Sequence, residues 1–184
     1  MVPGLKISES AIAESDRESE DGGGLSSLRF RLAVMRYGGI VYRVAHLLLG
    51  DRHEAEDVSQ EAFLRYWQRG KGVERPKEWL LAVTRNACLD RLRRVRPLVS
   101  TDDVLEPSED RDPLWHVQQL ELGDRLRGEI ARLPEPQRSL VILFDVQGLD
   151  GAACARILGL STNQVKVYLH RARRRLRRDL EESS

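Results

Sequence analysis

At 184 residues, with 41% hydrophobic and 32% charged side chains, the chain suits one globular domain or two small ones and is too apolar for wholesale disorder. No run of apolar residues approaches the roughly 18–20 needed to cross a bilayer, so membrane insertion is not expected. The N-terminal SESAIAESDRESEDGGG is acidic and lacks the apolar stretch of a secretory signal, and Cys88 and Cys154 are too few and too far apart for a disulfide framework or a metal knuckle. The expected compartment is therefore the cytoplasm, with both thiols acting as small buried hydrophobes.

The formal net charge of +1 conceals segregation. Residues 1–27 carry −4, residues 28–96 +7, residues 97–120 −5 and residues 121–184 +3. Basic blocks of this size suit a polyanion, because Lys and Arg that neutralise phosphates release condensed counterions. A lone basic cluster is more often a solvated surface, but both blocks here coincide with segments of helical periodicity.

In chain order, residues 1–27 combine acids, Ser and a Gly22-Gly23-Gly24 run and read as a mobile tail. Helical periodicity then predicts Arg29 to Leu49 as a first helix ended by Gly50, and His53 to Gln68 as a second. GKGVERP is a loop, and Lys77 to Arg96 a third helix stopped by Pro97. Residues 97–113, rich in Pro, Asp and Glu, form an acidic flexible linker between an N-terminal domain at 28–96 and a second at 114–184. The second domain opens with a helix from Trp115 to Leu133, broken at Pro134 and Pro136, and continues with a helix from Pro136 to Val146. No segment alternates with period two, so the expected fold class is all-α, in two small helical domains.

Asp150 to Leu158, the turn Gly159-Leu160-Ser161 and a long helix from Thr162 to Leu180 have the architecture of a helix-turn-helix. Ser161 can cap the second helix. Val165, Leu169, Ala172 and Leu176 recur at helical spacing and bury one stripe, leaving Lys166, His170, Arg171 and Arg174 off it. Seven Lys and Arg lie between Thr162 and Arg178 with no acid among them. Like charges one turn apart cost a few tenths of a kcal/mol per pair, so such a helix gains from an anionic partner, and Arg or Lys can read guanine edges in a major groove.

On the second helix, Ala55, Val58, Ala62, Phe63, Tyr66 and Trp67 share one arc, while Asp57, Gln60, Glu61 and Leu64 occupy the other. An acidic stripe with one Leu at its centre suits protein docking around an apolar anchor. His53-Glu54-x-x-Asp57 resembles a truncated zincin pattern, but a third ligand is not evident, and neither a phosphate loop nor a nucleophile elbow appears. Neither a metal, a cofactor nor enzymatic activity is expected. On the third helix Trp79, Asn86, Asp90 and Arg93 share a stripe opposite Leu81, Cys88, Leu92 and Val95. An aromatic, an amide and Arg together suit unpaired bases, although Trp79 serves equally well as a core anchor.

These segments resemble the extracytoplasmic-function group of bacterial sigma-70-type RNA polymerase sigma factors. HEAEDVSQEAFLRYW (53–67) is similar to the family helix that docks on the polymerase β′ coiled coil, EWLLAVTRNACLDRLRR (78–94) to the segment that melts and reads the minus-10 element, and residues 133–176 to the domain that reads the minus-35 element. The resemblance implies core-polymerase contacts, through β′ and β, at Asp57, Gln60, Glu61 and Leu64. It implies minus-10 contacts at Trp79, Arg85, Asn86, Asp90 and Arg93, with Asn86 bordering a pocket for a flipped base. Minus-35 contacts fall at Lys166, Val167, His170, Arg171 and Arg174, and an anti-sigma factor is a further implied partner. Two departures stand out: Val167-Tyr168 replaces a usual Ser-Arg, and GKGVERP lacks an aromatic residue often found there. Competing readings are a plain helix-turn-helix regulator, which needs no acidic docking face, and a sigma mimic that sequesters an anti-sigma factor, which needs no Arg-rich final helix.

Overall fold

The computed structural model describes residues 23–69, 72–95 and 124–182. Among these the chain is entirely helical between its turns. Helices α1 (Gly23–Leu49), α2 (Arg52–Arg69) and α3 (Pro76–Val95) form the first lobe. The second holds α4 (Asp124–Ala131), α5 (Gln137–Leu140) continuing as a π-helix (Val141–Val146), α6 (Gly151–Leu158) and α7 (Thr162–Glu182). The linker at 97–113, most of the N-terminal segment and the start of the helix expected from Trp115 lie outside the described residues.

Local chemistry sets most boundaries. Gly50, at φ 77°, closes α1 by donating its N–H to the His46 carbonyl at 2.8 Å. Asp51 then caps α2, its carboxylate accepting the Glu54 N–H at 2.8 Å. The two helices thereby turn back on each other within two residues. Pro76 opens α3, where its missing N–H costs nothing. Helix α1 starts at Gly23, inside the segment read from sequence as tail. Its long apolar stretch, Ser26–Leu49, also matches a bilayer span in length and composition, contrary to the sequence expectation. In the fold this is the central helix of the lobe: Phe30, Ala33, Val41, Val44, Ala45 and Leu48 are buried against α2 and α3.

The core of this lobe is built from Val41, Val44, Val58, Phe63, Leu80, Leu81 and Cys88, all essentially inaccessible. Phe30 stands edge-on to Phe63 and Trp67, with ring centroids 6.4 and 5.0 Å away. The buried hydroxyls are satisfied within their own helices, Ser59 donating to the Ala55 carbonyl at 2.6 Å and Thr84 to the Leu80 carbonyl at 2.8 Å. The buried stripe of α3 holds Leu80, Thr84 and Ala87 with the expected Leu81 and Cys88, whereas Leu92 is only half-buried.

In the second lobe the helix expected over Pro136–Val146 is not uniform. After one α-turn it widens, with the Gln147 N–H donating to the Ile142 carbonyl five residues back at 3.0 Å. Leu140, Ile142 and Leu143 fill the core there. Asp150 caps α6 by accepting the Ala153 N–H at 2.7 Å, and Gly159 ends it in the left-handed region at φ 67°. Ser161 and Gln164 form a reciprocal capping box, the Gln164 N–H donating to Oγ at 3.2 Å and the Ser161 N–H to Oε1 at 2.8 Å. Two helices joined by this Gly-bearing turn complete the helix-turn-helix.

The buried apolar residues of the two lobes form one cluster, and polar groups also join the lobes. Arg156 of α6 makes a two-pronged pair with Glu78 of α3, at 2.6 and 2.8 Å. Arg85 donates to Ser139 Oγ at 2.9 Å and to Glu135 at 3.2 Å, while Ser139 itself donates to Glu135 at 2.6 Å. Arg138 donates to the Leu48 carbonyl at 2.7 Å.

Candidate polymerase and nucleic-acid interfaces

The acidic arc of α2 faces outward. Asp57 and Leu64 are exposed, with Leu64 43% accessible, and Gln60 and Glu61 are half-buried beside them. The sequence does not reveal that α3 answers this stripe. Arg91 hydrogen-bonds Glu54 and lies 3.9 Å from Asp57 and 3.8 Å from Glu61, and Arg65 pairs with Glu61 at 2.5 Å. Burial works against the Arg91 charge, but the Glu54 hydrogen bond and the three carboxylates outweigh it and hold the guanidinium protonated. The outward face of α2 is thus a mixed-charge ridge around Leu64 rather than a purely acidic one.

On α3 the predicted stripe divides. Trp79 is half-buried against the core, its ring 5.9 Å from that of Tyr66. At that end of the helix a large ring has α2 to pack on and is drawn under. Arg85 is turned into the lobe interface, its side chain only 14% accessible. The open part of the stripe is Asn86, Asp90 and Arg93, with Arg93 paired to Asp90 at 3.2 Å and Arg85 donating to Asn86 Oδ1 at 3.3 Å. Arg94 is exposed close by.

Helix α7 presents two clean faces. Val165, Leu169, Ala172 and Leu176 are buried, and Lys166, Val167, His170, Arg171 and Arg174 are all exposed. Among the described residues none of Lys166, Arg171 and Arg174 pairs with a carboxylate, which leaves their donors directed at solvent. Arg173 belongs to the other side: it clasps Asp145 at 2.5 and 3.2 Å and lies 5.5 Å over the Phe144 ring. Tyr168 packs partly against the core, so of the two residues that depart from the family pattern only Val167 stands on the open face. Both cysteines are buried, and burial pushes the Cys88 thiol up to about 12 and the Cys154 thiol to about 11, which keeps them neutral and unreactive.

A three-helix lobe with an outward mixed-charge ridge, joined to a helix-turn-helix lobe with a basic open face, defines a sigma-70-type transcription-initiation protein. Residues 33–97 match sigma-70 region 2 and residues 123–176 match sigma-70, region 4. The chain belongs to the ECF group of RNA polymerase sigma factors. It is 37% identical over 144 residues to the ECF sigma factor SigM of Mycobacterium tuberculosis, covering 75% of this chain and 70% of that one. It is 28% identical over 158 residues to SigW of Bacillus subtilis, covering 78% and 84%. With SigE of Mycolicibacterium smegmatis it shares 32% identity over 150 residues, 78% of this chain but 58% of that relative's length. Among solved structures, the sigma factor RpoE of Bartonella quintana in complex with the anti-sigma factor NepR superposes with a TM-score of 0.65 at 23% identity, over 83% of this chain and 97% of that one. CnrH in complex with the cytosolic domain of CnrY gives 0.62 at 20%, over 95% and 97%.

Proposed function

We propose that this sigma factor divides its work among three surfaces and performs it by binding energy rather than catalysis, in the cytoplasm and without a cofactor. The ridge of Asp57, Gln60, Glu61 and Leu64 docks on core RNA polymerase, with Leu64 as the apolar anchor. The Asn86, Asp90 and Arg93 face of α3 meets the melted minus-10 strand, and the Lys166, Val167, His170, Arg171 and Arg174 face of α7 enters the minus-35 major groove. An anti-sigma factor is the third partner, in line with the complexes in which the structural relatives are found.

The observation that supports the reading is that the open Asn86, Asp90 and Arg93 face and the open cationic face of α7 stand on two separate lobes. Elements named for positions 35 and 10 lie about 25 base pairs apart, roughly 85 Å of duplex at ~3.4 Å per pair. A folded chain of this size is only about 40 Å across. Both elements can be engaged only if the contact between the lobes parts. The 28 residues between Val95 and Asp124 join the two lobes. Arg85 joins the minus-10 face in the parted state, once its Glu135 and Ser139 partners leave, while Trp79 stays packed on Tyr66 of its own lobe.

The test compares Asn86→Ala and Arg171→Ala in holoenzyme, by gel shift and by permanganate footprinting of the opened strand. Arg171→Ala should weaken duplex binding by about 1–3 kcal/mol if a bidentate base contact is lost. Asn86→Ala should bind normally and open slowly. Equal loss of duplex binding in both, with normal opening once bound, would make α3 an ordinary duplex contact and favour a plain regulator.

A further inference from the structure

Resting on the reading of α7 as the duplex-reading helix, we infer that Val167 recognises the 5-methyl group of a thymine, making the minus-35 specificity of this protein partly apolar. Val167 is 46% exposed and sits in the open stripe of α7 with Lys166, His170, Arg171 and Arg174 around it. Packing does not account for it. The buried stripe is complete with Val165, Leu169, Ala172 and Leu176, and the neighbouring Tyr168 is drawn against the core instead. An isopropyl group ringed by cations gains nothing from water and offers no hydrogen bond to a phosphate. The one apolar feature in the major groove is the thymine methyl, which marks an A·T pair and gives its orientation.

Position within the helix supports the same partner. Val167 lies about one and a half turns beyond the Ser161 cap, in the N-terminal part of the recognition helix, the part that meets base edges. It follows Lys166 directly, so a donor and an apolar group are presented side by side. That pair matches a guanine or adenine edge next to a thymine methyl. The cations farther along, Arg171 and Arg174, are placed to hold phosphates or a second base.

The experiment uses the full chain with core polymerase. A duplex pool randomised across the minus-35 segment is enriched by holoenzyme binding, and the enriched sequence is resynthesised with each thymine replaced singly by deoxyuridine, which removes only the methyl group. At one or two adjacent positions this should weaken wild-type binding roughly fourfold, the value of one buried methyl. Val167→Ala should bind the thymine duplex about as weakly as wild type binds the deoxyuridine one, and should no longer distinguish the two. Because Val167 lies outside the core, Val167→Ala leaves the lobe folded, which the helical CD signal checks. An enriched segment without thymine, equal tolerance of every thymine-to-deoxyuridine change, or an unchanged ratio in Val167→Ala overturns the inference. If Arg171→Ala also leaves duplex binding untouched, the failure lies instead with α7 as the reading helix.

Discussion

Glu135→Ala should open the two lobes. In the closed form this carboxylate takes two hydrogen bonds, from the Ser139 hydroxyl at 2.6 Å and from Arg85 across the interface at 3.2 Å, and stands 3.7 Å from Arg138. A hydrogen bond to a charged group contributes about 1.5–3 kcal/mol when buried, but Glu135 is 30% accessible and water can replace it for Arg85. About 1 kcal/mol is therefore the reasonable loss, which shifts the closed-to-open ratio roughly fivefold. The inertness of Cys88 and Cys154 makes the measurement practical: cysteines placed at the exposed positions Gln68 and Arg177 accept a donor and an acceptor dye without competition. Single-molecule energy transfer should show a high-transfer population that shrinks in Glu135→Ala and at high salt, and disappears when core polymerase is added. A distribution indifferent to the substitution and to salt would mean that these polar contacts do not hold the lobes together. Persistence of the high-transfer state in holoenzyme would contradict the need for them to part.

The remaining predictions concern docking, acid sensitivity and the helix-turn-helix. Asp57→Lys with Glu61→Lys should abolish co-elution with core polymerase while leaving the CD spectrum unchanged, since Arg91 keeps Glu54 as a partner; Leu64→Ala should weaken co-elution without any change of charge. Burial, followed by the charges of Arg127 and Arg52 and opposed by Asp51, pushes His46 below its usual 6.5. The unfolded chain then binds the proton more readily, so this contribution to stability is complete above about pH 6.5 and is lost as the pH falls through the lower folded value. Urea midpoints from pH 7.5 to 5 should fall, and fall less in His46→Gln. Asp150→Ala removes the cap of α6 and should cost about 1 kcal/mol, read as a lower thermal midpoint with minus-35 binding retained at low temperature.

Much of this molecule was legible where the deciding chemistry is local. Gly50, and Gly159 with Ser161, mark helix ends within one or two residues of where the structure puts them, because caps and left-handed glycines act over a single turn. The start of α1 was less legible: a glycine run reads as a breaker, yet a helix already held by Phe30 and Ala33 extends outward at little cost per residue. The open and buried faces of α7 followed from spacing alone. What spacing could not supply was the partner across space. Arg91 answers Glu54 from 37 residues away, Arg85 reaches Glu135 over 50 and Arg156 meets Glu78 over 78. Trp79 was assigned with the stripe of Asn86, Asp90 and Arg93, and Arg85 through the family resemblance; the packing of α2 draws the first under and the second lobe covers the second.

The clasp of Arg173 on Asp145 and Phe144 bears on how this protein can change over generations. Together with Val165, Leu169, Ala172 and Leu176 it anchors α7 from behind, so on the proposed reading its orientation is set by residues that lie away from the DNA. Lys166, Val167, His170 and Arg171 carry no such duty and can be exchanged without loosening the lobe. Promoter preference can drift, or be re-engineered, one exposed position at a time while the fold is inherited intact, and duplicated copies of such a gene can acquire separate sets of promoters without first becoming unstable.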